Sequence, residues 1–213
     1  MAVDNDTIVA FINRLGKLAT DEANRRIASG SKYVQPSVVI AQSAHETGWG
    51  TSRPMQEYNA FFGIKPGSNW KGRVFSAETW EVYDGVPTNV TQLFRAYDSL
   101  EDSVADYFDL IINNERYARA LSSYPDDKKS AYDTLYEIWA GGYATDEEYV
   151  PNVWDLHEGR NLSQWNEQVD GVTFDSSYTW EGGSGGSGGS GSVPSVNGTP
   201  VTYKFVKIEN LKL

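Results

Sequence analysis

The residue best suited to acid–base work is Glu46, in the stretch Pro36–Ser52, PSVVIAQSAHETGWGTS. Pro36 fits the first turn of a helix, where its missing N–H has no partner to lose. Val38, Val39, Ile40, Ala41 and Ala44 supply an apolar side to bury. Gly48 and Gly50, around Trp49, end the helix. Glu46 thus falls in the last turn of a mostly buried helix, beside a large ring. The negative end of the helix dipole lies close by, so a carboxylate gains nothing from it. Apolar surroundings raise a carboxyl pKa. A carboxylic acid still protonated near neutral pH is what glycosidic-bond cleavage requires of its general acid.

Such chemistry needs an answer to the positive charge that builds at the anomeric carbon, commonly a second carboxylate. The stretch Trp70–Tyr97 offers candidates. Val74, Phe75, Thr79, Trp80, Val82, Tyr83, Val86, Val90 and Phe94 favour strands, and Asp84-Gly85 is a turn signal between two runs. A small antiparallel lobe between helices is expected. Thr79, Glu81 and Tyr83 share one face of its first strand, and Glu78, Trp80 and Val82 the other, so only one of the two acids can face a cleft.

Helices must carry the rest. Ile8, Phe11, Ile12, Leu15 and Leu18 or Ala19 recur at helical spacing, predicting a helix over 6–29 that Gly30 closes. Residues 53–67 read as a loop followed by a short extended piece, Phe61–Lys65, ended by Pro66-Gly67. Ser99 with Asp102 has capping-box form and opens a helix with Leu100, Val104, Tyr107, Phe108 and Ile111 inward. A shorter helix is expected over Glu115–Leu121. Another is expected over Asp127–Ala140, with Ala131, Leu135, Ile138 and Trp139 inward and Gly141-Gly142 as its stop. Thr145 or Asp146 would cap a last helix through about Leu156, with Pro151 in its early turns. Residues 159–181 show weak periodicity and are expected to wrap the surface, anchored by Trp165, Phe174 and Trp180.

Residues 182–192, GGSGGSGGSGS, form a flexible coil whose regularity reads as an engineered linker. Residues 193–213 are then an appended segment. Asn197-Gly198 marks a turn, and Val201, Tyr203, Phe205 and Ile208 or Leu211 suggest a strand. Alone it would not be stable. It either docks on a sheet edge, of this domain or of a partner protein, or is a disordered tag.

Within these elements the sequence resembles glycoside hydrolase family 73. Ala41-Gln42 followed by His45-Glu46-Thr47-Gly48-Trp49-Gly50-Thr51-Ser52 looks like the active-site helix of that family. The likeness continues through Tyr58–Lys65, Trp70-Lys71-Gly72, Phe94–Ser99 and Gly142–Asp146, and covers roughly residues 8–158. The family comprises bacterial and phage endo-β-N-acetylglucosaminidases that cut peptidoglycan, flagellar-rod glucosaminidases among them. The resemblance implies an α+β, mainly α, lysozyme-like helical domain over residues 1–181, with a β-lobe flanking the cleft. Glu46 would be the general acid. Aligning the lobe puts Glu81 first as the second carboxylate and Glu78 next. A tyrosine near the Tyr-Ala-Thr-Asp motif would line the centre, Tyr143 ranking slightly above Tyr149. Trp49, Asn59, Phe62, Trp70 and Trp139 are candidates for sugar contacts, although each is also a natural core residue. His45 stands where the family more often has an aliphatic residue, and packing is its expected role.

The bond addressed would be the β-1,4 link between N-acetylglucosamine and N-acetylmuramic acid. If the second acid activates water, the carboxyls should lie about 6.5–9.5 Å apart and the product is inverted. If the substrate's own N-acetyl oxygen attacks, configuration is retained. Two other readings remain: a lytic transglycosylase on a related scaffold, which needs Glu46 alone, and a silent wall-binding module of a phage tail.

Composition narrows the partners. The 7 Trp and 13 Tyr suit both a core and a sugar-binding cleft. The absence of Cys excludes disulfides and thiolate metal sites, and two His make a zinc site improbable. No metal or organic cofactor is called for. The net charge of −11 disfavours nucleic acid and anionic membranes, and would repel anionic wall polymers. Glycan strands of peptidoglycan are the expected partner, met in the cell wall, outside the cell or on a virion. No signal peptide and no membrane-spanning run is recognised.

Overall fold

The computed structural model describes residues 2–83, 86–121, 130–169, 195–196 and 199–200; at 79–83, 86–88 and the last two pairs it describes backbone alone. Its helices are α1 (Asn5–Ala28), α2 (Pro36–Thr47), α3 (Arg53–Tyr58), α4 (Leu100–Ile112), α5 (Ala131–Ala140) and α6 (Tyr149–Gly159). Strands β1 (Val74–Tyr83) and β2 (Val86–Arg95) form an antiparallel arm between α3 and α4, in register from Val74↔Arg95 to Tyr83↔Val86. The Asp84-Gly85 turn itself lies outside the described residues. A two-residue ladder, β3 (Ser195–Val196) with β4 (Thr199–Pro200), brackets Asn197-Gly198. The proposed strand at 201–213, the linker, Phe174 and Trp180 lie outside the described residues.

The helices surround one core. Helix α1 contributes Ile8, Phe11, Ile12, Leu15, Ala19 and Ala23, and α4 contributes the five inward residues its pattern predicts. Asp4 caps α1 by accepting from Thr7 N at 2.9 Å, and Ser99 caps α4 by accepting from Asp102 N at 3.0 Å. Helix α2 is buried nearly all round, which explains why its apolar stripe is not clean. Its N-cap residue, Gln35, makes no side-chain capping bond; Asn166 Oδ1, from a distant segment, accepts from Ser37 N at 3.0 Å.

Four expectations need correction. Residues 53–58 are helix, not loop: Ser52 accepts from Met55 N, and Pro54 sits in the first turn, a start signal the reading passed over. The segment Phe61–Lys65 accepts a backbone bond from Arg95 N at Ile64 O, at 2.8 Å, but forms no strand. Helix α5 does not run through Ser130, which is extended and caps it by accepting from Asp133 N at 3.0 Å, so that it starts at Ala131; residues 127–129 lie outside the described residues. Helix α6 starts at Tyr149: Asp146 Oδ1 instead accepts from Glu148 N, shaping the turn before it.

The segment after α6 also goes deeper than a surface wrap. A 3₁₀ turn at Leu162–Gln168 sends Trp165 into the core, 1% exposed. It lies on Gly16 of α1, where a Cβ would come within 2.4 Å of the indole. Glycine in mid-helix costs stability; here it makes room for the largest fully buried side chain among the described residues.

Candidate active site

Glu46 sits one residue before the end of α2. Gly48, at φ +57°, caps the helix, and Trp49 follows in the left-handed region at φ +61°, rare for a bulky residue. The strained turn is held from several sides. Thr47 Oγ1 accepts from Gly50 N at 2.8 Å, and Trp49 packs edge-on against Phe11 at 5.9 Å with the Arg160 guanidinium over its ring. This anchorage fixes where α2 stops and thus where the Glu46 carboxyl points.

One carboxyl oxygen, Oε1, accepts from the Tyr149 hydroxyl at 3.2 Å. Oε2 lies toward Gly63, where a Cβ would stand 3.8 Å from it. Gly63 is exposed and has φ +56°, so glycine suits the backbone and leaves the space beside Oε2 clear. Burial pushes the Glu46 pKa up to about 7, with the Tyr149 hydrogen bond opposing it. The group thus holds its proton to a higher pH than an ordinary carboxyl does, as a general acid working near neutrality requires.

Behind Glu46 lies a buried polar chain. Gln42 Nε2 donates to the Tyr149 oxygen at 2.9 Å, and the Tyr107 hydroxyl donates to Gln42 Oε1. Gln42 and Tyr107 are 0% exposed and Tyr149 is 3% exposed. Burial first, and neighbouring Glu46 next, raises the Tyr149 pKa well above the ordinary phenol value, so it stays a proton donor. Burial likewise raises Tyr143 and Tyr107.

The structure brings together Glu46, Tyr149, Tyr143 and Phe62; among the described side chains, Trp49, Asn59, Trp70, Trp139 and Glu78 find partners elsewhere. Tyr149, ranked second from the sequence, makes the direct bond to Glu46. Tyr143 donates to the Phe62 carbonyl at 2.9 Å and so braces the segment that presents Gly63. Phe62 stacks on Tyr107 at 4.1 Å and is buried. Trp49 is a core residue, as described. Asn59 takes a left-handed φ of +52° to end α3 and donates to Tyr97 O at 3.1 Å. Trp70 lies under Arg95, 4.6 Å from its ring centre, and donates to Arg73 O. Trp139 donates to Asp146 O at 2.9 Å, with part of its ring open. Glu78 is exposed on the arm, reached by the Asn89 amide across the ladder at 3.5 Å. Glu81 pairs with Thr88 in the ladder, and its side chain lies outside the described residues. His45 stacks edge-on to Tyr149 at 5.2 Å, and burial lowers its pKa against the pull of Asp146, in keeping with the packing role expected of it.

Sequence reasoning missed Gln42 and Tyr107 as parts of the site. Tyr107 stood in the pattern as an inward residue of its helix, and Gln42 only within the stretch that resembles the family's active-site helix. A glutamine among Val, Ile and Ala in a buried helix was the available signal, since a buried amide needs partners.

A helical body that holds a carboxyl with a raised pKa at the end of a buried helix, beside a two-stranded arm, is the architecture of a lysozyme-like glycoside hydrolase. The chain belongs to the Glucosaminidase family, glycoside hydrolase family 73, described as mannosyl-glycoprotein endo-beta-N-acetylglucosaminidase and matched over residues 23–162. It is 35% identical over 151 residues to the peptidoglycan hydrolase FlgJ of Vibrio parahaemolyticus, covering 70% of this chain and 46% of that protein. It is 31% identical over 140 residues to the exo-glucosaminidase LytG of Bacillus subtilis, covering 63% and 47%. The chain thus spans under half the length of these curated relatives. Among solved structures, the catalytic domain of the autolysin Auto from Listeria monocytogenes superposes with a TM-score of 0.62 at 26% identity, over 78% of this chain and 90% of that one. A mutant peptidoglycan hydrolase from Sphingomonas sp. A1 gives 0.57 at 32% identity, over 73% and 99%.

Proposed function

We propose that this domain hydrolyses the β-1,4 bond between N-acetylglucosamine and N-acetylmuramic acid within peptidoglycan strands, at the cell wall, with Glu46 as general acid. The observation that carries the reading is the asymmetric grip on Glu46. Oε1 is tied to Tyr149, so the transferable proton resides on Oε2, on the side Gly63 leaves clear. The leaving oxygen takes that proton as the glycosidic bond breaks, and the Tyr149 hydrogen bond stabilises the carboxylate left behind. Family membership and relatives named as peptidoglycan hydrolases support the substrate class.

Glu81 is the second carboxylate in this reading. Strand alternation gives position 81 the parity of Phe75 and Ala77, which pack toward the body, whereas Glu78 has the opposite parity and is exposed. Residues 1–181 would form the catalytic unit, 182–192 a linker, and 193–213 an appended segment that docks on a sheet edge.

The test is mass spectrometry of muropeptides released from purified sacculi. Products with a reducing N-acetylglucosamine end are expected, and Glu46→Gln should release none. Anhydro-muramyl ends would instead make the domain a lytic transglycosylase, and undiminished lysis by Glu46→Gln would remove Glu46 from the mechanism.

A further inference from the structure

We propose that Gln42 is a positioning residue for the cleavage: its amide, oriented by Tyr107, commits the Tyr149 hydroxyl proton to Glu46. The inference rests on Glu46 being the general acid.

The argument is one of counting protons along a closed chain. A primary amide offers an acceptor at one end and donors at the other, similar in size, so its partners decide which way it points. Tyr107 donates to Gln42 Oε1, which leaves Nε2 to donate to the Tyr149 oxygen at 2.9 Å. A phenol has one proton. With its oxygen already accepting from Gln42, that proton goes to Glu46 Oε1 at 3.2 Å. Gln42 and Tyr107 are fully buried and Tyr149 almost so, which leaves little room for water to replace a partner. Each bond in such a chain polarises the next, so Tyr149 becomes a better donor than an isolated phenol.

The chain matters because Glu46 changes state within each turnover. It begins as the acid and ends as the carboxylate, and a donor aimed at Oε1 is worth more to the second form than to the first. Protons running Tyr107→Gln42→Tyr149→Glu46 therefore favour proton release. The reversed chain, with Gln42 Nε2 donating to Tyr107 and Tyr149 donating to Gln42, would withhold the donor and favour the acid. The two directions predict opposite signs. The other titratable groups around the carboxyl are His45 on its own helix, Tyr143 and Asp146 on the turn before α6, and Tyr107 on α4. None of the proposed substitutions changes the charge of any of these.

The experiment is the pH dependence of kcat and KM on a soluble peptidoglycan fragment, for wild type, Gln42→Met and Tyr107→Phe, with folding checked by circular dichroism. Gln42→Met keeps the volume and removes both hydrogen bonds. It should lower kcat about fivefold, as loss of a neutral hydrogen bond of about 1 kcal/mol behind the donor supports, leave KM within about twofold, and move the basic limb to higher pH. Tyr107→Phe should act in the same direction by about threefold, since Gln42 keeps its bond to Tyr149; it also decides the matter should Gln42→Met not fold. A limb that moves to lower pH, or wild-type kcat with an unmoved limb in a folded variant, overturns the proposal. Glu46→Gln separates the two failures: if it is dead while Gln42→Met is fully active, the positioning role falls and the acid stands.

Discussion

Glu46 and the acids of the arm sit in two different kinds of structure. Around Glu46, helices α2, α4 and α6 converge, and a buried hydrogen-bond chain through Tyr149, Gln42 and Tyr107 backs the carboxyl. The arm is two strands joined to the body at its root. There Phe75 stacks on Tyr58 at 4.4 Å and against Phe94 at 5.6 Å, in a small cluster separate from the main core. Arg95 holds both oxygens of Asp106 on α4 at 2.8 Å, and the Tyr97 hydroxyl donates to the same carboxylate at 2.7 Å. Farther out, Glu78 is exposed and Leu93 is 50% exposed. Burial sets the chemical state of Glu46; on the arm, position alone can give an acid its role. The body tunes and the arm places.

The largest effect should come from the body. Glu46→Gln is expected to cut kcat by about 10³, within the range for losing a positioned general acid. It should also change stability with a definite sign. The folded-state pKa of about 7 lies above the ordinary carboxyl value of 4.5, so the folded protein binds the proton more tightly. That contribution is fully present below about pH 4.5 and is lost as pH rises through 7. Glu46→Gln, which carries no charge, should thus gain on wild type by on the order of 2 kcal/mol at pH 8, after allowance for its partial exposure, and match it near pH 4. Urea melts at the two pH values check this; equal gaps at both would mean Glu46 is not held in an apolar setting.

Next come the arm and the hydroxyl. Glu81→Gln should lower kcat about 10- to 100-fold with the basic limb unmoved, while Glu78→Gln stays within about threefold. The reverse order would exchange the two acids. Tyr149→Phe should cost about tenfold in kcat and move the basic limb upward, because the lost bond favoured the carboxylate. Tyr143→Phe should leave the limb in place, since its hydroxyl serves the Phe62 carbonyl.

The same contrast explains what the sequence could disclose. The cap of α4, the glycine stop of α2 and the two strand runs on either side of Asp84-Gly85 are written in neighbouring residues, so local rules find them. The raised pKa of Glu46 was legible because an apolar helix and its end lie within ten residues of it. The Tyr149–Gln42–Tyr107 chain was not. Its members are separated by 107 and 65 residues, and no local pattern says which inward tyrosine meets which inward amide. The same holds for Gly16, whose reason is Trp165, and for Asn166, which caps a helix that begins at Pro36. Tyr143 outranked Tyr149 by proximity to a motif; geometry divides their work between a backbone carbonyl and the acid.

The smallest expected effect is the sharpest probe of the division. Asp106 adjoins Tyr107 on α4 but bonds to Arg95 and Tyr97 instead of to the carboxyl chain, and it is the partner that pins the arm's root. Asp106→Asn removes the charge from a largely buried pair, leaves Arg95 with one acceptor in place of two, and keeps the shape. The loss should destabilise the fold by about 1–3 kcal/mol. Arg95 keeps its place over Trp70, and Phe75 keeps its stack on Tyr58, so the arm stays docked but less firmly. Kcat should then fall only about threefold, because misplacement of the second acid is slight. The basic limb should remain at wild-type pH, because nothing around Glu46 has changed. A limb that moves in Asp106→Asn would mean the arm helps to set the acid's proton affinity, and the division between tuning body and placing arm would have to be given up.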